Sequence, residues 1–336
     1  AHFARRDARA CADHMEWFGD MDRIRASIGR LIHCLPSDIA FIVNASTGLS
    51  LLLSGIDWQP GDQVLTLEHE FPNHYYFPAG LRHRGVEFVE TPWERFHEAL
   101  TSRTRLVALS TVNYSTGFRA PLDQIAPLLR ERGVLLYVDG TQSLGALQFD
   151  VQAIQPDMLA VHGYKWLLAP NGAGFLYVSP SLRPRLAPNV IGWRSHKHWR
   201  NPDNLHHGTP EFSPDAEKYE GGMLNFPSLY AMGASIDLMQ QIGPEAIERR
   251  VLDLAGQTRA LLARAGADVL SDSPIVTARF AGRDVSALAQ QLQRSRVVVA
   301  ARRGNLRVSP HFYNNEEDLD RLEQALAAAV GFGTRF

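Results

Sequence analysis

Two residues of this chain could share one piece of chemistry. Lys165 lies in the run Asp157-Met-Leu-Ala-Val-His-Gly-Tyr-Lys165-Trp-Leu-Leu-Ala-Pro-Asn-Gly-Ala-Gly-Phe-Leu-Tyr-Val178, between two apolar segments. Upstream, another apolar segment ends in Tyr137-Val138-Asp139-Gly140-Thr141-Gln142. An amine on a loop and a carboxylate at a strand end are what pyridoxal phosphate (PLP) requires. The amine holds the cofactor's aldehyde as a Schiff base, and the carboxylate keeps the ring nitrogen protonated, so that the ring can draw electrons from a substrate's α-carbon. Asp139 and Lys165 fit these two tasks.

Other residues fall where such a site would need them. Asn44-Ala45-Ser46-Thr47-Gly48 follows the apolar Phe41-Ile42-Val43 and precedes a helical stretch. Free backbone N–H groups and two hydroxyls would converge there on a phosphate. Taken alone, Ser46-Thr47 also reads as a plain helix cap. Phe71, soon after Val64-Leu65-Thr66-Leu67, offers a flat ring to stack on a pyridine; by default it would be a core residue. Asn113, after the strand ending at Ser110, could hold the cofactor's ring oxygen or a substrate carboxylate, or simply form a turn. Gln142 could face the same oxygen. His162 and Tyr164 flank Gly163 just before Lys165, and both can donate to phosphate. Arg307 sits in an otherwise apolar strand, where its planar fork would match the α-carboxylate of an amino acid or an internal acidic partner.

These residues need elements to carry them. From Ile39 to Val178 short apolar runs alternate with helical stretches, the pattern of βα units building a mainly parallel sheet covered on both faces. Strands are predicted near 39–43, 63–67, 86–90, 105–110, 134–138, 158–161 and 174–178, with helices at 47–55, 74–84, 95–101 and 121–132. Every candidate above then falls at the carboxyl end of a strand, where open α/β sheets bind ligands. A polar, Pro- and His-rich segment at 195–220 reads as a long surface loop. After a helix near 227–241, Ile242-Gly243-Pro244 marks a boundary. Beyond it the pattern predicts a helix at 245–265, strands near 275–280, 296–300 and 305–309, and helices at 284–294 and 316–330. The expected architecture is α/β, with a large domain at 20–241 and a small domain at 242–336 completed by residues 1–19.

At 336 residues the chain exceeds the size at which one core usually keeps growing. With 34 Lys and Arg against 36 Asp and Glu the net charge is −2, which gives no electrostatic reason to expect nucleic acid or an anionic membrane as partner. No apolar stretch approaches the ~20 residues of a membrane span, and the start lacks the apolar centre of a signal peptide. Two cysteines, Cys11 and Cys34, cannot build a disulfide framework, so a reducing cytoplasm is expected. A metal-dependent hydrolase is a rival reading of 13 histidines. However, His69-Glu-Phe-Pro-Asn-His74 is one residue longer than the helical zinc motif and Pro72 interrupts it, so no metal is expected. A non-catalytic PLP-fold binding module is a second rival, against which an intact Lys165 argues.

At this point the sequence resembles the class V aminotransferases, PLP enzymes of fold type I that include cysteine desulfurases, kynureninases and isopenicillin N epimerase-like proteins. The resemblance rests on Tyr137–Gln142, His162-Gly-Tyr-Lys165, Tyr219-Glu-Gly-Gly-Met-Leu-Asn-Phe-Pro227 and Leu306-Arg-Val-Ser-Pro-His-Phe-Tyr-Asn314, in family order from about Asn44 to Asn315. It implies a seven-stranded large domain in which Lys165 is the Schiff-base lysine and Asp139 the ring-nitrogen partner. Ser46, Thr47, His162 and Tyr164 would be phosphate ligands, Phe71 the ring above the cofactor, Asn113 and Gln142 its polar neighbours, and Arg307 the substrate-carboxylate ligand. Gly221-Gly222 would reach the phosphate of a neighbouring protomer, which implies a homodimer. Met223 stands where many relatives have Thr, so a contact there would come from backbone. Cysteine desulfurases carry a nucleophilic Cys before the arginine strand, but Val297-Val-Val-Ala-Ala-Arg-Arg-Gly-Asn305 contains none, so the chain is not expected to be a desulfurase proper. The opening on Ala1 in place of Met leaves room for upstream residues, where relatives often place substrate contacts. The implied activity is amino-group chemistry on an amino acid, most simply transamination, with lyase or epimerase outcomes sharing the first steps.

Overall fold

The computed structural model describes residues 2–12, 14–201, 209 and 211–331. Helices α1 (His2–Arg9) and α2 (His14–Ile32) lead into an alternation of strands and helices. In order these are β1 (Ile39–Ile42), α3 (Ala45–Gly55), β2 (Gln63–Leu67), α4 (Asn73–Gly80), β3 (Glu87–Thr91), α5 (Phe96–Ala99) and β4 (Thr104–Ser110). Then come α6 (Leu122–Glu131), β5 (Leu135–Asp139), α7 (Val151–Ile154), β6 (Met158–His162), β7 (Gly174–Val178) and α8 (Phe226–Ile242).

The seven strands form one sheet in the order β1-β7-β6-β5-β4-β2-β3. Neighbours from β3 through β6 pair in parallel, while β7 runs antiparallel to both β6 and β1. Strands such as Gln63–Leu67 and Gly174–Val178 are buried along their whole length, which is why they read as continuous apolar runs rather than alternating ones. Gly48 brings α3 close to the sheet: a Cβ there would stand 2.9 Å from Leu176 and 3.0 Å from Ala160. Burying each Leu or Ile of this core stabilises the fold by roughly 1.5–3 kcal/mol. The antiparallel β7 also shortens one connection. Residues 163–173 join β6 to β7 as a hairpin-like loop whose ends are fastened by His162 opposite Gly174 and by the bond from Gly163 N to Ala173 O, 2.9 Å.

The described chain divides into two compact units. The first comprises Ala1–Thr111, Pro121–Leu144 and Gln148–Gln241, and the second Val112–Ala120, Gly145–Leu147 and Ile242–Phe336. Residues 1–19, which the sequence reading attaches to the small domain, cluster with the first unit instead. The reason is apolar: Trp17 and Phe18 of α2 are buried, with their rings 5.4 and 5.2 Å from that of Phe226 at the start of α8.

In the second unit, α9 (Pro244–Arg264), α10 (Val285–Arg294) and α11 (Glu316–Val330) accompany four short strands, β8 (Asp268–Val269), β9 (Val276–Arg279), β10 (Ala300–Arg302) and β11 (Asn305–Val308). These form an antiparallel sheet in the order β10-β11-β9-β8. Leu261, Val276, Leu292, Leu306 and Leu326 lie in its core. The strand expected at 296–300 begins only at Ala300. Val297 N still caps α10 through Leu292 O, Arg296 takes a left-handed φ of 62°, and Val298 is 82% exposed, so the valine run leaves a helix instead of entering the sheet.

The segment read as a surface loop, 195–220, departs from that expectation in its described part. Ser195, Trp199, Ser213, Lys218 and Tyr219 are buried, and residues 216–220 form a short 3-10 helix. What draws the segment inward is Glu220. Its carboxylate accepts from Arg25 Nη2 at 2.5 Å, Arg194 Nη1 at 2.6 Å and Phe41 N at 2.8 Å. Burial disfavours the charge of Glu220, yet the two guanidiniums outweigh burial and hold the carboxyl below its ordinary range. The Arg194 guanidinium lies between the Phe18 and Trp199 rings, 4.5 Å from each centroid.

Candidate active site

Asp139 is the last residue of β5, opposite Ser110 of β4 and Ala160 of β6. It is buried, and its Oδ1 accepts from Thr141 N at 2.8 Å. The backbone around it is fixed from both sides: Thr111 N donates to Asp139 O at 3.0 Å, and Gly140 N to Ala160 O at 2.9 Å. Thr141 Oγ1 in turn accepts from His162 N at 3.0 Å, tying the turn after β5 to the end of β6. At Gly140 a Cβ would fall 2.5 Å from Leu144 Cδ1, so any side chain in this tight turn would require Leu144 to shift. Gln142 lies buried in the same turn.

Lys165 follows His162 in the hairpin-like loop. Its Nζ is 5.7 Å from the centre of the Phe71 ring and 5.3 Å from that of Tyr164. Phe71 is 37% exposed, which sets aside its default reading as a core residue. The His162 ring lies 4.3 Å from that of Tyr164, and its Nε2 is buried with no hydrogen-bond partner among the described residues. Burial and then the Lys165 charge lower the His162 pKa, while Asp139 opposes them. One imidazole therefore feels both the amine and the carboxylate.

Helix α3 begins two residues earlier than a Ser46 cap would require. Asn44 is the cap, its Oδ1 accepting from Thr47 N at 3.0 Å and Thr47 Oγ1 at 3.2 Å. Ser46 is thus the second helical residue and Thr47 the third, with the Thr47 hydroxyl turned to Asn44. Tyr137 Oη donates to Ala45 O at 3.1 Å and so links the start of α3 to β5, two residues before Asp139. Elsewhere in this unit Gly221 takes a left-handed φ of 68°, where a Cβ would meet Val190, and Gly222 is open on all sides. Met223 is exposed, as are Val190 and Ile191.

Asn113 and Arg307 belong to the second unit. There, Asn113 Oδ1 accepts from Ser115 N and Oγ, both at 2.9 Å, and from Thr116 N at 3.1 Å, so the residue does form a turn. Arg307 Nη1 donates to Tyr114 O at 2.5 Å, which places this guanidinium against the backbone next to Asn113.

Two residues that the sequence reading did not select stand beside Asp139 in the fold. The Glu70 carboxylate accepts from Ser110 N at 2.7 Å and Ser110 Oγ at 2.6 Å, and lies 3.1 Å from His74 Nδ1. Both side chains are almost wholly buried. Their spacing of four was the available signal, obscured because Pro72 precedes the helix that carries His74.

The site can be set against known proteins. The family model described as "Aminotransferase class-V" matches residues 10–322. The chain belongs to the class-V aminotransferase family. Among curated relatives of this class-V chain is the isopenicillin N epimerase of Streptomyces clavuligerus, 30% identical over 91% of this chain and 84% of its own length. The probable cysteine desulfurase of Methanothermobacter thermautotrophicus is 25% identical over 93% of this chain and 84% of its own. Among solved structures, a mutant of C-DES with glycine covalently linked to its PLP cofactor superposes with a TM-score of 0.88 at 23% identity, covering 98% of this chain and 91% of the other. A cysteine desulfurase from Thermococcus onnurineus gives 0.83 at 20% identity, over 92% and 83%. The class-V chain therefore has the fold-type I architecture, and pyridoxal 5′-phosphate is its cofactor.

Proposed function

We propose that the chain is a PLP-dependent enzyme acting on the amino group and α-carbon of an amino acid, with transamination as its reaction. The observation that carries this reading is the Thr141 link between two adjacent strand ends: Thr141 N donates to Asp139 Oδ1 at 2.8 Å, and Thr141 Oγ1 accepts at 3.0 Å from the N of His162, three residues before Lys165. The donor set also fits the cofactor. An amine, a buried carboxylate, a half-exposed ring 5.7 Å from the amine and a buried ring nitrogen without a partner match an aldehyde, a ring nitrogen, a π-face and a phosphate.

In this reading Lys165 holds the cofactor's aldehyde and Asp139 its ring nitrogen, with Phe71 against the ring face and Gln142 and Asn113 near its oxygen. Ser46, Thr47, His162 and Tyr164 serve the phosphate. The bound cofactor supplies a sink for the electron pair released at the α-carbon. The Lys165 amine would take the substrate's α-proton as general base. Arg307 orients the substrate carboxylate through its planar fork. The active species is a cytoplasmic homodimer in which backbone at Gly222 and Met223 faces the partner's phosphate site. The exposed Val190, Ile191 and Met223 around the Gly221 turn support such an interface.

Epimerisation is the second reading, favoured by 30% identity to isopenicillin N epimerase. It differs only in returning the proton to the α-carbon from the opposite face. Persulfide chemistry is disfavoured. Residues 297–305 hold no Cys, and burial pushes the Cys34 thiol up to about 12, where it is a poor nucleophile.

The test is an amino-acid screen of the PLP-loaded protein in deuterated water. Conversion of the cofactor to its amine form with release of a keto acid supports transamination. Solvent deuterium at an inverted α-carbon supports the second reading. Absence of any spectral change on titration with PLP would remove both.

A further inference from the structure

Glu70 and His74 take no part in the reading above, yet they form a buried polar pair at this end of the sheet. The carboxylate is gripped by both donors of Ser110, the β4 residue paired with Asp139 across the sheet. The imidazole sits edge-on to the Tyr137 ring, centroids 5.8 Å apart. Tyr137 and Asp139 are two apart on β5 and so present their side chains to the same face. His74 therefore packs on the face that carries Asp139. With Nδ1 3.1 Å from Glu70, its Nε2 remains buried without a hydrogen-bond partner among the described residues. Burying an imidazole nitrogen without a hydrogen-bond partner costs free energy.

We propose that Glu70 and His74 are positioning residues for the ring-nitrogen site: Glu70, held by Ser110, fixes the His74 imidazole on the face of β5 that carries Asp139, so that the pair sets the local field in which that carboxylate meets the cofactor's ring nitrogen. This rests on the reading that Asp139 serves that nitrogen. Attraction between buried charges is stronger than in water because water is excluded. The charge states agree with the geometry. Burial disfavours an imidazolium, but the charge and contact of Glu70, with a further contribution from Asp139, raise the His74 pKa above its ordinary value. Burial likewise opposes the Glu70 carboxylate, which His74 and the Ser110 bonds bring below its ordinary value. Tyr137, the other titratable group against His74, is kept neutral by burial and by the two carboxylates.

The test compares the native holoenzyme with Glu70→Gln and His74→Gln. Three quantities are read: the dissociation constant for PLP, the pH midpoint of the bound cofactor's visible absorption, and the melting temperature of the PLP-free protein. Glu70→Gln keeps the size of the side chain and an oxygen for Ser110 but removes the negative charge that supports the His74 cation. The expected result is PLP binding weakened by about tenfold and a midpoint displaced by about one pH unit, since one unit corresponds to a tenfold change. A lowered melting temperature with unchanged affinity and midpoint would mean that the pair merely anchors a turn, and would overturn the proposal. If neither variant folds, nitrogen NMR of histidine-labelled native holoenzyme decides. A protonated His74 ring at neutral pH is expected, and a neutral ring overturns the proposal. Asp139→Asn separates the two levels of inference. If it leaves PLP binding unchanged, the placement of the ring nitrogen fails; if it weakens binding while Glu70→Gln does not, only the positioning pair fails.

Discussion

The amine of Lys165 stands 5.7 Å from the centre of the Phe71 ring, although the two residues come from different strand ends of the same sheet. That gap leaves room for a flat ring stacked on Phe71 with an edge facing the amine. Phe71→Ala should weaken PLP binding by roughly three- to tenfold, given about 0.5–1.5 kcal/mol for an aromatic stacking contact. Fluorescence titration of the PLP-free protein checks this, and Phe71→Tyr should restore most of the affinity.

Lys165→Ala should abolish the visible absorption of the lysine-bound cofactor and reduce turnover by about 10²–10⁴-fold, the usual contribution of a positioned proton-transfer group. Because Lys165 is only partly buried in its loop, the melting temperature of the PLP-free variant should stay near that of the native protein. A visible band that survived the substitution would assign the amine elsewhere.

Glu220→Gln tests the fold rather than the chemistry. Removing one member of a buried charge cluster leaves Arg25 with the half-exposed Asp22 at 2.8 Å and Arg194 with Glu217 at 3.7 Å, and should destabilise the protein by about 3–5 kcal/mol. Chemical denaturation monitored by circular dichroism gives the number. A loss below about 1 kcal/mol, the value of an exposed pair, would show that water reaches the cluster.

The pH dependence of stability follows from Glu70 and His74. A carboxylate depressed below its ordinary 4.5 stabilises the fold above that value and loses this contribution as the pH falls through its folded pKa. An imidazole raised above 6.5 stabilises below that value and loses its contribution as the pH rises through its folded pKa. Both contributions are complete between 4.5 and 6.5. The difference in melting temperature between native and Glu70→Gln PLP-free proteins should therefore peak in that window and shrink on either side. A difference that does not vary with pH would rule out an ion pair.

The large sheet was legible because its strands are buried on both faces and bounded by turns, so apolar runs such as Leu106–Leu109 announce themselves without alternation. The start of α3 was less so. Asn44, Ser46 and Thr47 are all good capping residues, and only the bond from Thr47 N to Asn44 Oδ1 decides among them. The valines at 297–299 have strong strand propensity, but the capping of α10 claims Val297 first and the strand starts late. Asp139 and Lys165 stand out in the sequence because their chemistry is unusual for their surroundings. Glu70 and His74 do not, because their partner Ser110 lies some forty positions away in sequence and carries no mark of its own.

The reversal of β7 within an otherwise parallel sheet has a consequence for reach. A parallel connection would need a crossover of a dozen or more residues, usually through a helix. Here eleven residues, 163–173, leave β6 and return at once beside it, pinned at both roots by strand pairing. Lys165 thus hangs on a short tether whose two ends cannot drift apart. Adding or removing a residue there would swing the amine off its mark, whereas comparable length changes at an exposed turn such as Gly133 would pass unnoticed by the chemistry.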